Sequence, residues 1–206
     1  MAGTKSRYDV HPSVAMSEKW IARLKEKTGR SLEEWLALVK KSGPKTEQDR
    51  RDWLQNDHGL GRNMAWGIAE HAEPNGSEFA NPDAYLAAAE KYVERMFSGP
   101  KSALLPMYEE LLRLGLNLGK DVKACPCQTI VPLYRHHVFA QIKPTTQTRI
   151  DLGFALGARK PEGRLIDTGG YAKKDRITHR IPISSMKDID AEVKQWLKAA
   201  YEADAA

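Results

Sequence analysis

The chain has 206 residues, 41% of them hydrophobic and 29% charged, a globular composition with room, at roughly 150 residues per domain, for one large domain or two small ones. No apolar run approaches the ~18 residues of a membrane span and the opening MAGTKSRYDV lacks the apolar stretch of a secretory signal, so neither insertion nor export is expected. Two cysteines, Cys125 and Cys127, are too few to staple a secreted scaffold, which points to the cytoplasm, and a formal charge of +5 permits a polyanionic partner without requiring one.

In the first half, apolar residues recur at three and four positions, the helical period. Trp20, Ile21 and Leu24 form the first stripe, in a segment that Ser17 can cap and Gly29 ends. Ser31 and Glu34 have the spacing of a capping box ahead of Leu32, Trp35, Leu36 and Val39, and Gly43-Pro44 stops that helix. Thr46, Glu47 and Asp49 place an acceptor and negative charge at the next N-terminus, followed by Trp53 and Leu54. Asp57-His58-Gly59-Leu60-Gly61 reads as a turn, and a fourth helix from Arg62 or Asn63 carries Met64, Ile68 and Trp66 inward, ending by Glu73-Pro74-Asn75-Gly76. Turn-forming residues between 73 and 82 mark a domain boundary.

Beyond it, 83–97 carries Tyr85, Leu86, Ala89, Tyr92, Val93 and Met96 at helical spacing, and Ser98-Gly99-Pro100 ends it. A second helix over roughly 101–116 turns Leu104, Leu105, Tyr108, Leu111 and Leu112 inward. From Asp121 the period becomes two, and 122–125, 129–134, 138–142, 149–156 and 176–183 read as strands whose short connections predict an antiparallel meander. A last amphipathic helix over 188–203 offers Ile189, Val193, Trp196, Leu197 and Tyr201 as cover. The expected fold class is α+β: a four-helix bundle over 1–75, then an α+β domain over 82–206 with an antiparallel sheet of about five strands covered by helices.

Charge is unevenly placed. Between Lys120 and Arg180 twelve Lys and Arg stand against five Asp and Glu, a local excess of seven, while the remainder of the chain is slightly acidic. Lys143, Arg149, Arg159, Lys160, Arg164, Lys173, Lys174, Arg176 and Arg180 fall in or beside the strands, with Tyr134 and Tyr171 interleaved. Such a sheet can follow a nucleic-acid backbone; the plainer reading is a set of solvated loop charges.

Cys125, Cys127 and His136 are weak zinc candidates, because C-x-C on a strand lacks the turn that usually wraps the metal, and two packed thiols are the plainer reading. No metal or other cofactor is expected. His179 shares parity with Ile177, Ile181 and Ile183 and so faces the covered side of the sheet, either as a proton-transfer residue in a cavity or as a hydrogen-bonded structural histidine. In the first domain His58, Gly59 and Gly61 form the most distinctive local pattern, read as a turn that closes the bundle in preference to a DNA-binding helix-turn-helix, since the next helix has Arg62 as its one strong cation and also Glu70. No phosphate loop, dinucleotide fingerprint or nucleophile elbow is present.

Two longer patterns carry a resemblance. Thr28-Gly29-Arg30-Ser31-Leu32-Glu33-Glu34, Trp53-Leu54 and His58-Gly59-Leu60-Gly61 resemble a small helical bacterial family of unknown function, which commonly continues with Gly-His-Ala where this chain has Arg62-Asn63-Met64-Ala65. Phe139-Ala140-Gln141-Ile142-Lys143-Pro144, Arg149-Ile150-Asp151-Leu152-Gly153, Thr178-His179-Arg180 and Trp196-Leu197-Lys198-Ala199-Ala200-Tyr201 are similar to a second such family. The second has been found beside nuclease-like domains and labelled a predicted transport protein, and its expected helix-covered sheet is similar to YjbR-like domains suspected of binding DNA. The resemblance implies a tandem of the two, with Lys143, Arg149, His179 and Arg180 as candidate ligand-surface positions.

The functional expectation is a non-enzymatic binding module whose basic second domain engages nucleic acid or another anionic ligand. The alternatives are a small-molecule or catalytic pocket around His179, and an adaptor that docks a protein partner through the helical first domain.

Overall fold

The structure, a computed structural model, describes residues 6–74 and 76–205. Asn75, placed in the interdomain turn by sequence, lies outside them. The described chain divides into two compact units, one over 10–88 and one formed by 6–9 with 89–205. The division falls within a helix, α5 (Pro82–Met96).

The first unit contains α1 (Pro12–Thr28), α2 (Leu32–Ser42), α3 (Glu47–Asn56), α4 (Arg62–His71) and the first turns of α5. Contrary to the expectation of a Ser17 cap, α1 starts at Pro12: His11 Nδ1 accepts from the Ser13 N–H at 3.1 Å. Burial lowers the His11 pKa, which keeps that nitrogen's lone pair free to cap. Gly29 ends α1 in the left-handed conformation, φ +79, that glycine adopts without strain. Ser31 and Glu34 form the full capping box of α2, and Thr46 Oγ1 caps α3 by accepting from the Asp49 N–H.

The core gathers Leu24, Leu32, Trp35, Val39, Leu54, Ala65, Ile68 and Ala69. On α4 the buried stripe is Ala65, Ile68 and Ala69, so helical geometry turns Trp66 outward, 45% exposed, and leaves Met64 half-buried; the inward placement expected of both is corrected.

In the second unit, α5 continues through Ala89, Tyr92, Val93 and Met96, all buried. A 3-10 helix over Gly99–Leu104 then precedes α6 (Leu105–Leu116). Its three-residue turn shifts the phase, so Leu104 is buried while Leu105, expected inside, is 40% exposed. The sheet has six antiparallel strands: β1 (Lys123–Ala124), β2 (Val131–Tyr134), β3 (Val138–Pro144), β4 (Ile150–Phe154), β5 (Ile166–Asp167) and β6 (His179–Ile183). The spatial order β1-β2-β3-β4-β6-β5 departs from a simple meander, because the short β5, absent from the sequence reading, takes the edge and β6 returns between it and β4.

Cross-strand partners share a face. Val131, Ile142, Leu152 and Ile181 form one buried row, and Leu133, Ala140, Phe154 and His179 another. Alternate positions, Gln141, Lys143, Asp151, Arg180 and Pro182, lie on the opposite face. Helix α6 packs against β1 and β3; α7 (Ala191–Ala203) packs against β3 and β4 with Val193, Trp196, Leu197 and Ala200 buried. A 3-10 turn over Met186–Asp188 occupies the expected start of this last helix, which Asp190 caps instead, and Tyr201 is half-buried. Beyond α7, Asp204, 3% exposed, accepts from Arg176 and from the His137 N–H, tying the chain to the start of β3. No helix among the described residues is long and apolar enough to cross a membrane.

Candidate anion-binding cleft

Strands β3, β4 and β6 bring three of the expected site residues, Lys143, Arg149 and Arg180, onto one face. Asp151 Oδ1 is 2.9 Å from Arg180 Nη1 and 3.0 Å from Arg149 Nε, and Oδ2 accepts from Thr145 Oγ1 at 2.8 Å. The Arg149 contact is an ion pair without hydrogen-bond alignment, since its buried Nε has no hydrogen-bond partner. Two guanidiniums thus share one carboxylate, and their charge is partly spent inside the protein.

Lys143, in register opposite Asp151, makes no ion pair among the described residues; it faces a cleft of about 530 Å³. The other cations there are Arg95, near the end of α5, and Lys101, in the 3-10 helix. Neither is in an ion pair among the described residues, although Lys101 Nζ donates to the Pro144 carbonyl oxygen at 2.6 Å, which fixes its ammonium at the C-terminal end of β3. Ser98, Gln128, Thr129, Thr145 and Gln147 add hydroxyl and amide groups, and no Asp or Glu lines the cleft. Three uncompensated cations beside hydrogen-bond donors suit a phosphate or carboxylate. Arg95 and Lys101 were missed from sequence: each is a lone cation on a helical segment, and only the return of β3 makes them neighbours of Lys143.

His179 lies on the other face from Arg180, 1% exposed. Its Nε2 is 2.8 Å from the Arg159 carbonyl oxygen and its Nδ1 2.8 Å from Thr178 Oγ1. A carbonyl only accepts, so Nε2 carries the proton and, in the neutral ring, Nδ1 accepts from the Thr178 hydroxyl. Both nitrogens are engaged, which makes this the structural histidine of the two expected roles and separates it from Lys143 and Arg149.

Tyr134 is half-buried, its phenol pushed up to about 12 by burial, so its ring is withdrawn from the role of exposed stacking platform; Tyr171 remains exposed. Burial also pushes the Cys125 thiol up to about 12, as for a thiol packed in the core. His136 is exposed, and no three His, Cys, Asp or Glu among the described residues gather as a metal site. In the first unit the His58 ring stands edge-on to Trp53 at 4.3 Å and to Trp35 at 5.5 Å, Gly59 takes φ +67 in the turn, and Gly61 is the N-cap of α4. This motif packs and turns the chain.

The basic stretch is also less free than its count. Arg135 pairs with Asp121, Arg164 with Asp190 and Glu192, and Arg176 with Asp204. Asp190, Glu192 and Asp204 lie outside the counted stretch, so their three charges reduce its excess from seven to four.

The family model described as Domain of unknown function (DUF4287) matches residues 17–73, the unit that holds the His58 turn. No curated protein and no solved structure matches the chain. The model described as Domain of unknown function (DUF5655) matches residues 93–204, which include the sheet, Arg95, Lys101 and Lys143, and since this is more than half of the chain, the protein belongs to that family.

Proposed function

We propose that the protein is a binding module whose second unit holds a phosphate-bearing anion in the cleft of Arg95, Lys101 and Lys143. The observation that carries this reading is the grouping of three cations without ion pairs in one concavity free of carboxylates. The lining also contains no imidazole or thiol, so the groups on offer bind and orient an anion without an evident acid–base pair, which supports binding over catalysis.

The test is isothermal titration of the full chain with pyrophosphate at low salt, alongside fluorescence anisotropy with labelled single-stranded and duplex oligonucleotides. Saturable pyrophosphate binding is expected, weakened at least about tenfold by Arg95→Ala with Lys143→Ala and falling linearly in log K against log salt. Oligonucleotides that compete with pyrophosphate would identify a nucleic-acid backbone as the source of the phosphate. Absence of binding at low salt, or unchanged affinity in the double variant, would overturn the reading.

A further inference from the structure

The first unit contains a second cleft, about 390 Å³, of opposite character. On α1 its wall is Ser13, Met16, Ser17 and Trp20; on α4 it is Asn63, Trp66, Gly67 and Glu70, with His71 beside them. Both sets follow the i, i+3, i+4, i+7 spacing that puts residues on one helical face, and Ser77 and Phe79 complete the lining. Gly67 brings the two walls together: a Cβ there would lie 2.9 Å from the Trp20 indole. The cleft is therefore aromatic, with Trp66 and Met16 left largely exposed at its surface.

Its charge is negative. Glu70 is the one charged side chain in the lining and has no ion-pair partner among the described residues. Glu78 stands near enough for the Glu70 carboxylate to help raise its pKa, after the larger effect of burial, and it too has no ion-pair partner among the described residues. Arg51, tied to Glu47, stands 5.9 Å from the Trp66 ring centroid, as a cation attracted by an indole does. Beside Glu70 in the chain, His71 Nδ1 donates to the Gly67 carbonyl oxygen at 2.8 Å, and the His71 ring packs 5.8 Å from that of Trp20.

Indole faces and a carboxylate without an ion-pair partner among the described residues together select a cation with an apolar body. We propose that the cleft between α1 and α4 binds a small protonated amine with an apolar or aromatic body. The alkyl or aryl part packs on Trp20, Trp66 and Phe79, and the ammonium faces Glu70.

Calorimetric titration of the full chain with benzylamine tests this, with benzyl alcohol as the uncharged counterpart. Benzylamine is expected to bind saturably and at least about tenfold more tightly than benzyl alcohol, the discrimination that a carboxylate and a partly desolvated cation–π contact supply. Glu70→Gln should bring the amine down to the level of the alcohol, and Trp66→Ala should weaken it at least about fivefold. Both residues are at least partly exposed, so unchanged circular dichroism and melting temperature serve as the folding control. Equal affinity for amine and alcohol, or full amine affinity in Glu70→Gln, would overturn the proposal. Tighter binding of an end-blocked lysine peptide than of benzylamine would overturn it in favour of a protein partner.

Discussion

His179 donates its Nε2–H to the Arg159 carbonyl oxygen across 2.8 Å, closing a relay that starts where the Leu156 N–H donates to Thr178 Oγ1 and continues from that hydroxyl to His179 Nδ1. The imidazole thus fastens the loop after β4 to the first residue of β6. Removing it leaves a cavity and two polar groups, the Arg159 carbonyl and the Thr178 hydroxyl, short of a partner. His179→Ala should cost about 2–4 kcal/mol in urea unfolding. Pyrophosphate affinity in the Lys143 cleft should stay within about twofold, since no direct contact is lost on that face; a large loss would contradict the structural role.

Asp151 holds Arg149 and Arg180 on the open face and, through Thr145, touches the edge of the Lys143 cleft. Asp151→Asn removes a negative charge next to Lys143 and frees two guanidiniums. The expected result is tighter pyrophosphate binding, by a few-fold at low ionic strength, that converges on the wild-type value as salt screens the added field. Titrations at two salt concentrations check both parts.

Thr28 explains why its family pattern joins a threonine to a helix stop. Its hydroxyl donates to the Leu24 carbonyl oxygen at 2.8 Å and accepts from the Trp35 indole N–H at 2.9 Å, so one side chain links the end of α1 to the buried face of α2. Thr28→Val should cost about 1–2 kcal/mol because the indole N–H loses its acceptor. Thr28→Ser should recover most of it, as read by tryptophan fluorescence during urea unfolding.

Alkaline pH should destabilise the second unit. Burial, helped by the Asp9 carboxylate, raises Cys125 from 9.0 to about 12, and burial raises Tyr134 from 10.0 to about 12. The folded protein therefore keeps protons that the unfolded chain releases, and the stability this represents is intact below pH 9 and lost as pH rises from there towards 12. The slope is at most about 1.4 kcal/mol per pH unit for each group. Urea unfolding at successive pH values should show the decline, with Cys125→Ala flattening its onset between 9 and 10. A thiol reagent should label Cys127, half-buried, before Cys125.

The elements written in the sequence were those whose causes are local. A capping box at Ser31 and Glu34, an acceptor at Thr46 and a left-handed glycine at Gly29 act within one helical turn, and the alternation through Ile150, Leu152 and Phe154 placed a buried face without knowledge of its neighbours. His179 was assigned to the covered face by the same parity. Histidine is an uncommon N-cap, so the His11 start of α1 was missed, and a two-residue β5 has too little chain to show a period. The first family pattern is accounted for locally by Thr28, Trp35 and the His58 turn.

Sequence by itself thus determined the helical first part, the α+β second part and the faces of their strongest elements, because hydrogen-bonding caps and side-chain periodicity depend on residues a few positions apart. Only the tertiary structure decided which charges remain available. Arg149 and Arg180 are drawn onto Asp151, Arg164 and Arg176 onto the C-terminal helix and its end, while Arg95 and Lys101 join Lys143 from segments far away in the chain. Electrostatic pairing depends on distance through space, and that distance is set by strand order and helix packing.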